Sequence, residues 1–437
     1  MRAGRGDKLD GMLDIRFIRD NQAEVRQGIK AKQMTEALAA LDELLLKDEE
    51  ERLLRRDLEE QQARRNAVSR QIGQLKRDGQ DASAQMAEMA DLATTVKQLE
   101  ERSRSLGNRV QELLYELPNL PHESVPYGES EHDNVVAADH GEDRDFGFTP
   151  RAHWELPNFS DWVDLEAGVK LAGAGFPVFR GQGARLVRAL SGWLLSELAD
   201  NGYVEIQPPL LASHAAALGA GVLPDKEGQM YQVDSNFFLV PTSEVALANL
   251  HRDEILDLAQ LPLRYTAFTP CFRREAGSHG RDVRGLNRVH QFDKVEMVSF
   301  TRPEDSFAEL ERMTGLAESL LDRLGLKHRR LFMCTGDIGF TQSKKYDLEA
   351  WSPGQERWLE VSSCSNITDF QARRLQTRAR EGGRQGQGRP EPVHTLNGSA
   401  FGFPRIIAAV METYQNEDGS VTLPEVLHPW FGGERLS

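Results

Sequence analysis

The chain has 437 residues, a net charge of −15, 28% charged and 39% hydrophobic residues, the balance of a globular protein with two or three domains and a large core. No apolar run approaches the roughly 18–20 residues of a membrane span, and the basic start MRAGRGDKLDGMLDIRF lacks the apolar stretch of a secretory signal, so no membrane partner is expected. Cys271, Cys334 and Cys364 are far apart with no CxxC spacing, which argues against a disulfide framework or a cysteine-based zinc site and suits a reducing cytoplasm.

An acidic total speaks against a nucleic-acid partner, but the charge is uneven. Residues 61–77, QQARRNAVSRQIGQLKR, carry Arg64, Arg65, Arg70, Lys76 and Arg77 and no acid. Such a segment is either a solvated helix face or the footprint of a phosphate-binding surface. It lies within the first of two long helices expected between about 35 and 117. In the second, Met89, Leu92, Val96, Leu99, Ser103, Leu106, Val110, Leu113 and Leu117 repeat at 3-4 spacing, a heptad seam. The first has a more polar seam through Leu54, Leu58, Gln61, Arg65, Val68, Ile72 and Leu75. Asp78-Gly79 marks the turn between them. Helices joined by so short a turn pack antiparallel, and roughly 35 residues at 1.5 Å each reach about 50 Å. Lys76 and Arg77 then lie near the far tip.

A linker is expected over 121–150, where Pro121 and Pro126 precede a His- and Asp-rich stretch. Beyond it, strands are predicted at 237–240, 263–275, 287–300 and 357–366, and a helix at 403–415. Strands joined by hairpin-like loops without βαβ alternation predict an antiparallel sheet flanked by helices. There is no GxxxxGK[ST] and no strand–GxGxxG–helix, which disfavours a P-loop or Rossmann nucleotide site. The insert 381–392, EGGRQGQGRPEP, is expected to be a mobile loop.

The most informative segment is CFRREAGSHGRDVRGLNRVHQFDKVE, residues 271–296. Arg273, Arg274, Arg281, Arg284 and Arg288 crowd around Gly277, Gly280 and Gly285. Guanidinium forks bind phosphate oxygens in pairs, and glycines let backbone approach a ligand. Phe292 offers an aromatic face for a base, and alternation places Phe292, Lys294 and Glu296 on one sheet face.

This segment resembles motif 2 of the class II aminoacyl-tRNA synthetases in its seryl form. Residues 183–211, GARLVRALSGWLLSELADNGYVEIQPPLL, are similar to motif 1, and 396–415, LNGSAFGFPRIIAAVMETYQ, to motif 3. Residues 345–374 are close to the seryl pattern, MLDIRFIRDN resembles the usual family start, and a helical arm before the core is a further seryl feature. The fold class this implies is α+β: an N-terminal antiparallel helical hairpin, then a class II core of antiparallel sheet flanked by helices. The expected organisation is an extension over 1–11, a tRNA-binding arm over 12–120, the linker, and a catalytic domain over 151–437.

The resemblance implies activation of L-serine with ATP and Mg2+, then transfer to tRNA(Ser), and to tRNA(Sec) where that tRNA exists, by a cytoplasmic homodimer. It implies roles position by position. Arg273 holds the α-phosphate and the serine carboxylate, and Arg405 reaches the γ-phosphate; both are the catalytic pair. Arg274, Glu275, Val289, Phe292, Glu360, Val361, Ser362 and Ser363 are ATP-binding positions, with Phe292 stacking on adenine and Glu360 and Ser363 as magnesium ligands. Thr242, Ser243 and Glu244 match the serine-binding Thr-x-Glu, Glu296 the carboxylate that pairs with the serine ammonium, and Ser399 the residue that bonds the serine hydroxyl. Read without the resemblance, Thr242 caps the helix after Pro241, Ser399 is a turn residue and Glu296 a surface strand residue. A ligase that loads a carrier protein would lack the arm, and a non-catalytic coiled-coil paralogue would have lost Arg273, Glu360 or Arg405.

Overall fold

The computed structural model describes residues 13–226, 228–275 and 283–437. It has two compact units, one running to Lys30 and from Met34 to Pro118, the other comprising Ala31–Gln33 and Asn119–Ser437. In the first, short helices Ile15–Asp20 and Gln22–Ala31 precede α1 (Ala37–Arg77) and α2 (Ser83–Tyr115). These two pack along each other. No seam position named above is exposed, from Leu54 to Leu75 on α1 and from Met89 to Leu117, so the heptad pattern decides which faces meet. Paired charges reinforce the match: Arg64 with Glu88 at 2.6 Å and Arg109 with Glu43 at 2.8 Å. Gly79 takes φ +69° where the chain reverses, and Asp81 accepts from the Ser83 amide at 3.0 Å to start α2. Arg64, Arg70, Lys76 and Arg77 are exposed, whereas Arg65, a seam position, is half-buried.

The second unit is built on an eight-stranded sheet. Its elements in chain order are β1 (Val135–His140), α3 (Gln182–Asp200), β2 (Val204–Glu205), β3 (Leu263–Phe272), β4 (Gln291–Thr301), α4 (Ser306–Arg323), β5 (His328–Phe332), β6 (Lys344–Ser352), β7 (Arg357–Thr368), β8 (His394–Gly402) and α5 (Phe403–Thr413). The spatial order is β1-β5-β6-β7-β8-β4-β3-β2. Every neighbouring pair is antiparallel except β2 with β3. β4 and β8 are central and mostly buried, although Lys294, Glu296, Ser299, Thr301 and Thr395 among their buried positions are polar. α3, α4 and α5 pack on the sheet through Leu190, Trp193, Leu310, Met313, Ile406 and Met411, all buried in one core. Pro404 opens α5 at its first turn, where its missing N–H costs nothing.

Two segments differ from the sequence reading. The stretch 121–150, expected as a linker, supplies β1, which pairs with β5 as the sheet's outer strand. Residues 381–392, expected to be mobile, hold a helical turn at Gly383–Gln385 and a strand at Glu391–Pro392. That strand joins Arg378–Arg380 and Ile255–Asp257 in a small sheet. The reason is one guanidinium: Arg380 donates to the carbonyls of Gly383, Gly388 and Arg384 at 2.8, 2.9 and 2.8 Å, replacing the apolar contacts the insert lacks. Among the described residues no helix is long and apolar enough to cross a membrane.

Candidate active site

The strands that resemble motif 2 bring their ends together. Cys271 faces Phe292 across β3 and β4, and the Arg273 amide continues the ladder to the His290 carbonyl at 2.8 Å. β7, β8 and the start of α5 close the other side. The result is a cleft of about 210 Å³ lined by Arg273, Glu275, Val289, Phe292, Glu360, Val361, Ser362, Ser363, Ser399 and Arg405. Ten predicted positions, separated by up to 132 residues of chain, thus share one cavity. Gly277, Gly280 and Arg281 lie outside the described residues. Arg274 is exposed and lines neither this cleft nor the adjoining one.

Two guanidinium groups converge here with donors to spare. Arg405 Nε donates to the Asn287 carbonyl at 3.0 Å, and Nη1 to the Glu360 carbonyl at 3.0 Å and carboxylate at 3.4 Å. Arg273 Nε donates to the Pro241 carbonyl at 3.3 Å, and its guanidinium lies 5.2 Å from the centre of the Phe292 ring. Its terminal nitrogens, and Nη2 of Arg405, bond no other described residue. Arg273, held at Nε with both terminal nitrogens free, and Arg405, held at Nε and Nη1 with Nη2 free, suit an anion that offers several oxygens. Burial would raise the Glu360 pKa, but Arg405, Lys345 and Arg273 outweigh it and hold the carboxylate below its usual range. Opposite Ser363 in the β6–β7 ladder stands Asp347, whose Oδ1 is buried without a partner among the described residues. Burial pushes Asp347 up, against the pull of Lys345 at 3.1 Å.

A second cleft, about 380 Å³, shares Arg273, Glu275 and Arg288 with the first and has Thr242 in its wall. Beside it lies a buried polar knot. Lys294 and Glu296 form an ion pair, Lys294 Nζ donates to Thr242 Oγ1 at 2.8 Å, and Thr242 Oγ1 donates to Glu296 Oε2 at 3.2 Å. Thr242 also accepts from the Glu244 amide at 3.2 Å, a local turn contact; the cap position of the helix Glu244–Ala248 is Ser243 and not, as expected, Thr242. Glu296 Oε1 is buried and has no partner among the described residues. A buried carboxylate oxygen left bare is costly, and here it faces a site already rich in polar groups. Ser399 stands directly opposite Glu296 in the β4–β8 ladder, and Ser362 Oγ donates to the Ser399 carbonyl at 2.5 Å. Glu296 is therefore no surface residue, and Ser399 sits within a strand, not a turn. Glu244 accepts from Gln371 at 2.7 Å and Asn397 at 2.8 Å. Burial, reinforced by Glu296, pushes its carboxyl up to about 7. Ser243 Oγ is also buried without a partner among the described residues.

Sequence reasoning missed several residues that shape this site. Lys345 and Asp347 alternate on β6, so period-two reading could have placed them on the face of Glu360. Asn397 lies two residues before Ser399 and shares its face. His153 and Glu412 had no local signal. Glu412, at the far end of the helix that carries Arg405, accepts from the His153 amide at 3.0 Å, His153 Nδ1 at 2.8 Å, the Gly354 amide at 3.1 Å, Gln355 Nε2 at 2.8 Å and the Ser352 hydroxyl. His153 Nε2 in turn accepts from the Leu286 amide at 2.9 Å, next to the Asn287 carbonyl that holds Arg405. Glu412→Ala would orphan five donors at once, two of them amides on segments bordering the site. The expected result is a loss of about 3–5 kcal/mol of stability, as for other broken buried networks, read as a lowered denaturant midpoint. A change under about 1 kcal/mol, the scale of a neutral surface substitution, would show the network to be dispensable.

Comparisons with known proteins bear on the chain as a whole. Residues 12–121 match the family model for the seryl-tRNA synthetase N-terminal domain, and 230–414 that for the tRNA synthetase class II core domain (G, H, P, S and T). The chain is 48% identical to a serine--tRNA ligase of Symbiobacterium thermophilum over 97% of its own length and 100% of that protein. It is also 48% identical to one of Salinibacter ruber, over 97% and 99%. Among solved structures, the seryl-tRNA synthetase of Pyrococcus horikoshii complexed with ATP superposes with a TM-score of 0.90 at 34% identity, covering 97% of this chain and 99% of that one.

Proposed function

The chain belongs to the seryl-tRNA synthetase family, and from that premise we propose how its residues divide the work of a class II serine--tRNA ligase: ATP-dependent formation of seryl-adenylate, then transfer of serine to tRNA(Ser). ATP occupies the cleft of Arg273, Phe292 and Arg405, with the adenine against Phe292 and the phosphates between the two guanidinium groups. Serine lies where the two clefts join, its carboxylate on Arg273 and its ammonium on Glu296. The observation that carries this assignment is Glu296 Oε1, buried and lacking a partner among the described residues, beside Thr242. An arriving ammonium would satisfy it.

The first step is displacement at the α-phosphorus by the serine carboxylate, with pyrophosphate leaving. The chain's contribution is orientation and charge stabilisation, since two forks already fixed at Nε need no reorganisation as charge shifts to the leaving phosphates. The donor set of Glu360 and Ser363, with the bare Asp347 oxygen behind them, is all hard oxygen and fits a magnesium ion; bound with ATP, that ion would neutralise phosphate charge. In the second step the terminal adenosine hydroxyl of tRNA attacks the seryl carbonyl carbon of the adenylate, forming the ester and losing its proton as the bond to AMP breaks and AMP leaves. Exposed Val204, Leu210 and Leu211, following α3, support a homodimer contact there. Arg64, Arg70, Lys76 and Arg77, with Arg65 in the seam, mark the hairpin as the tRNA-binding arm. Shape readout by such an arm does not consult the anticodon, so tRNA(Sec) is within its scope where it exists. Three buried free cysteines suit work in a reducing cytoplasm.

Serine-dependent ATP–pyrophosphate exchange followed by charging of bulk tRNA tests the reading. Exchange that alanine or glycine supports as well as serine would overturn the serine assignment. A pH dependence follows from Glu244. A cation placed beside it favours the ionised carboxyl, so serine binding releases its proton. Apparent serine affinity should therefore rise severalfold as pH increases through about 7, where Glu244 titrates. The KM for serine between pH 6 and 8.5 checks this, and Glu244→Gln should flatten the profile.

A further inference from the structure

Outside the lining of both clefts, where the outer strand β1, its neighbour β5 and the end of α4 meet, three side chains able to ligate a metal come together. His140 of β1 and His328 of β5 are directly opposed in the ladder. Their rings lie side by side, 4.8 Å between centres and 4° from parallel. Asp322, in the last turn of α4, brings Oδ1 to 4.0 Å from His328 Nε2. The three ligand atoms all lie within 4.8 Å of one another. Directly opposed positions on antiparallel strands hold the two side chains close together; the stacked rings aim their in-plane lone pairs along parallel lines, so the partly exposed His140 ring must turn for both imidazoles to reach one ion.

A second observation points to a ligand. His328 is completely buried, and its Nε2 has no hydrogen-bond partner among the described residues. Its Nδ1 donates to the Leu326 carbonyl at 2.9 Å, which fixes the tautomer and leaves the lone pair on Nε2, facing Asp322. A backbone carbonyl orienting a histidine in this way is the usual support of a metal ligand. Ring stacking explains the parallel planes but leaves that lone pair bare. Burial also lowers the His328 pKa, which favours the neutral ring that a metal requires.

We infer that His140, His328 and Asp322 bind a divalent transition-metal ion of the zinc or cobalt class. Two imidazole nitrogens and one carboxylate oxygen select such ions over magnesium or calcium, which prefer all-oxygen sites. Glu318 Oε1, 3.8 Å from His140 Nε2, can supply a fourth ligand, a second oxygen, though it also bonds Arg330 at 2.8 Å; water is the alternative. The carbonyls at the end of α4 add negative potential. The ion would pin β1, an outer strand, to α4.

The test uses the full chain stripped with a chelator and titrated with Zn2+ by calorimetry and with Co2+ by visible absorption. Variants are His140→Ala, which is partly exposed and should fold, and Asp322→Asn, which is exposed. Wild type should take up one equivalent that both variants weaken by about tenfold or more, with Co2+ ligand-field bands and a Zn2+-induced rise in Tm that the variants lose. Pyrophosphate exchange and the metal-free Tm should stay at wild-type values in both. Equal stoichiometry and affinity in wild type and both variants, as when the ion sits on Glu360 and Ser363 instead, would overturn the site. So would the absence of any saturable equivalent in the wild type.

Discussion

Arg273→Ala is expected to lower kcat/KM for serine-dependent pyrophosphate exchange by about 10²–10³-fold, the scale on which one preorganised donor acts in a transition state. Arg273 lines both clefts, as do Glu275 and Arg288, and in the proposed arrangement its fork touches both the nucleophile and the phosphate it attacks. Its loss should therefore raise both KM values and lower kcat. The fold should be nearly indifferent, because the side chain makes one 3.3 Å hydrogen bond, to the Pro241 carbonyl. An unchanged denaturant midpoint beside the lost activity would separate a chemical role from a structural one. Arg273→Lys should rescue little: a point ammonium cannot span two oxygens and stacks less well on Phe292. Wild-type exchange in Arg273→Ala would remove the residue from the reaction, and full rescue by lysine would reduce it to a simple counter-charge.

Much of this site was legible in the sequence because its residues lie on strands, where period two fixes the face, or at the first turn of a helix. Phe292, Lys294 and Glu296 follow that rule, and the 3-4 seam of α2 did the same for the arm. What escaped were pairings across long stretches of chain. That Glu296 leans on Lys294 and Thr242 while one oxygen stays bare depends on side-chain packing, which spacing does not encode. His153 and Glu412 are 259 residues apart and bond through buried atoms, with no periodicity to announce them. β1 was read as linker because an outer strand needs no apolar alternation: VVAADH is exposed along most of its length. The insert at 381–392 looked mobile on composition, yet the Arg380 guanidinium beside it holds three of its carbonyls.

Deleting residues 40–112 should leave pyrophosphate exchange within a fewfold of wild type and abolish charging of tRNA. Every side chain assigned to ATP or serine belongs to the second compact unit, whereas α1 and α2 belong to the first. Adenylate formation thus needs nothing that the deletion removes. Charging needs an acidic protein to hold a polyanion, and the exposed cations of the hairpin are the local answer we propose to that problem. Deletion alone cannot separate lost contacts from a lost lever arm, so charge reversal is the sharper form. Arg70, Lys76 and Arg77 are the residues to reverse: all are exposed, while Arg64 is already paired with Glu88 and Arg65 is half-buried. If each neutralises one phosphate, replacing all three by Glu should flatten the dependence of log KM for tRNA on log salt by about 2–3, at about 0.7–0.9 per contact. Exchange should be untouched. A salt slope unchanged from wild type would place the tRNA elsewhere, and parallel loss of exchange and charging in the deletion would show that the arm serves the fold instead of the tRNA.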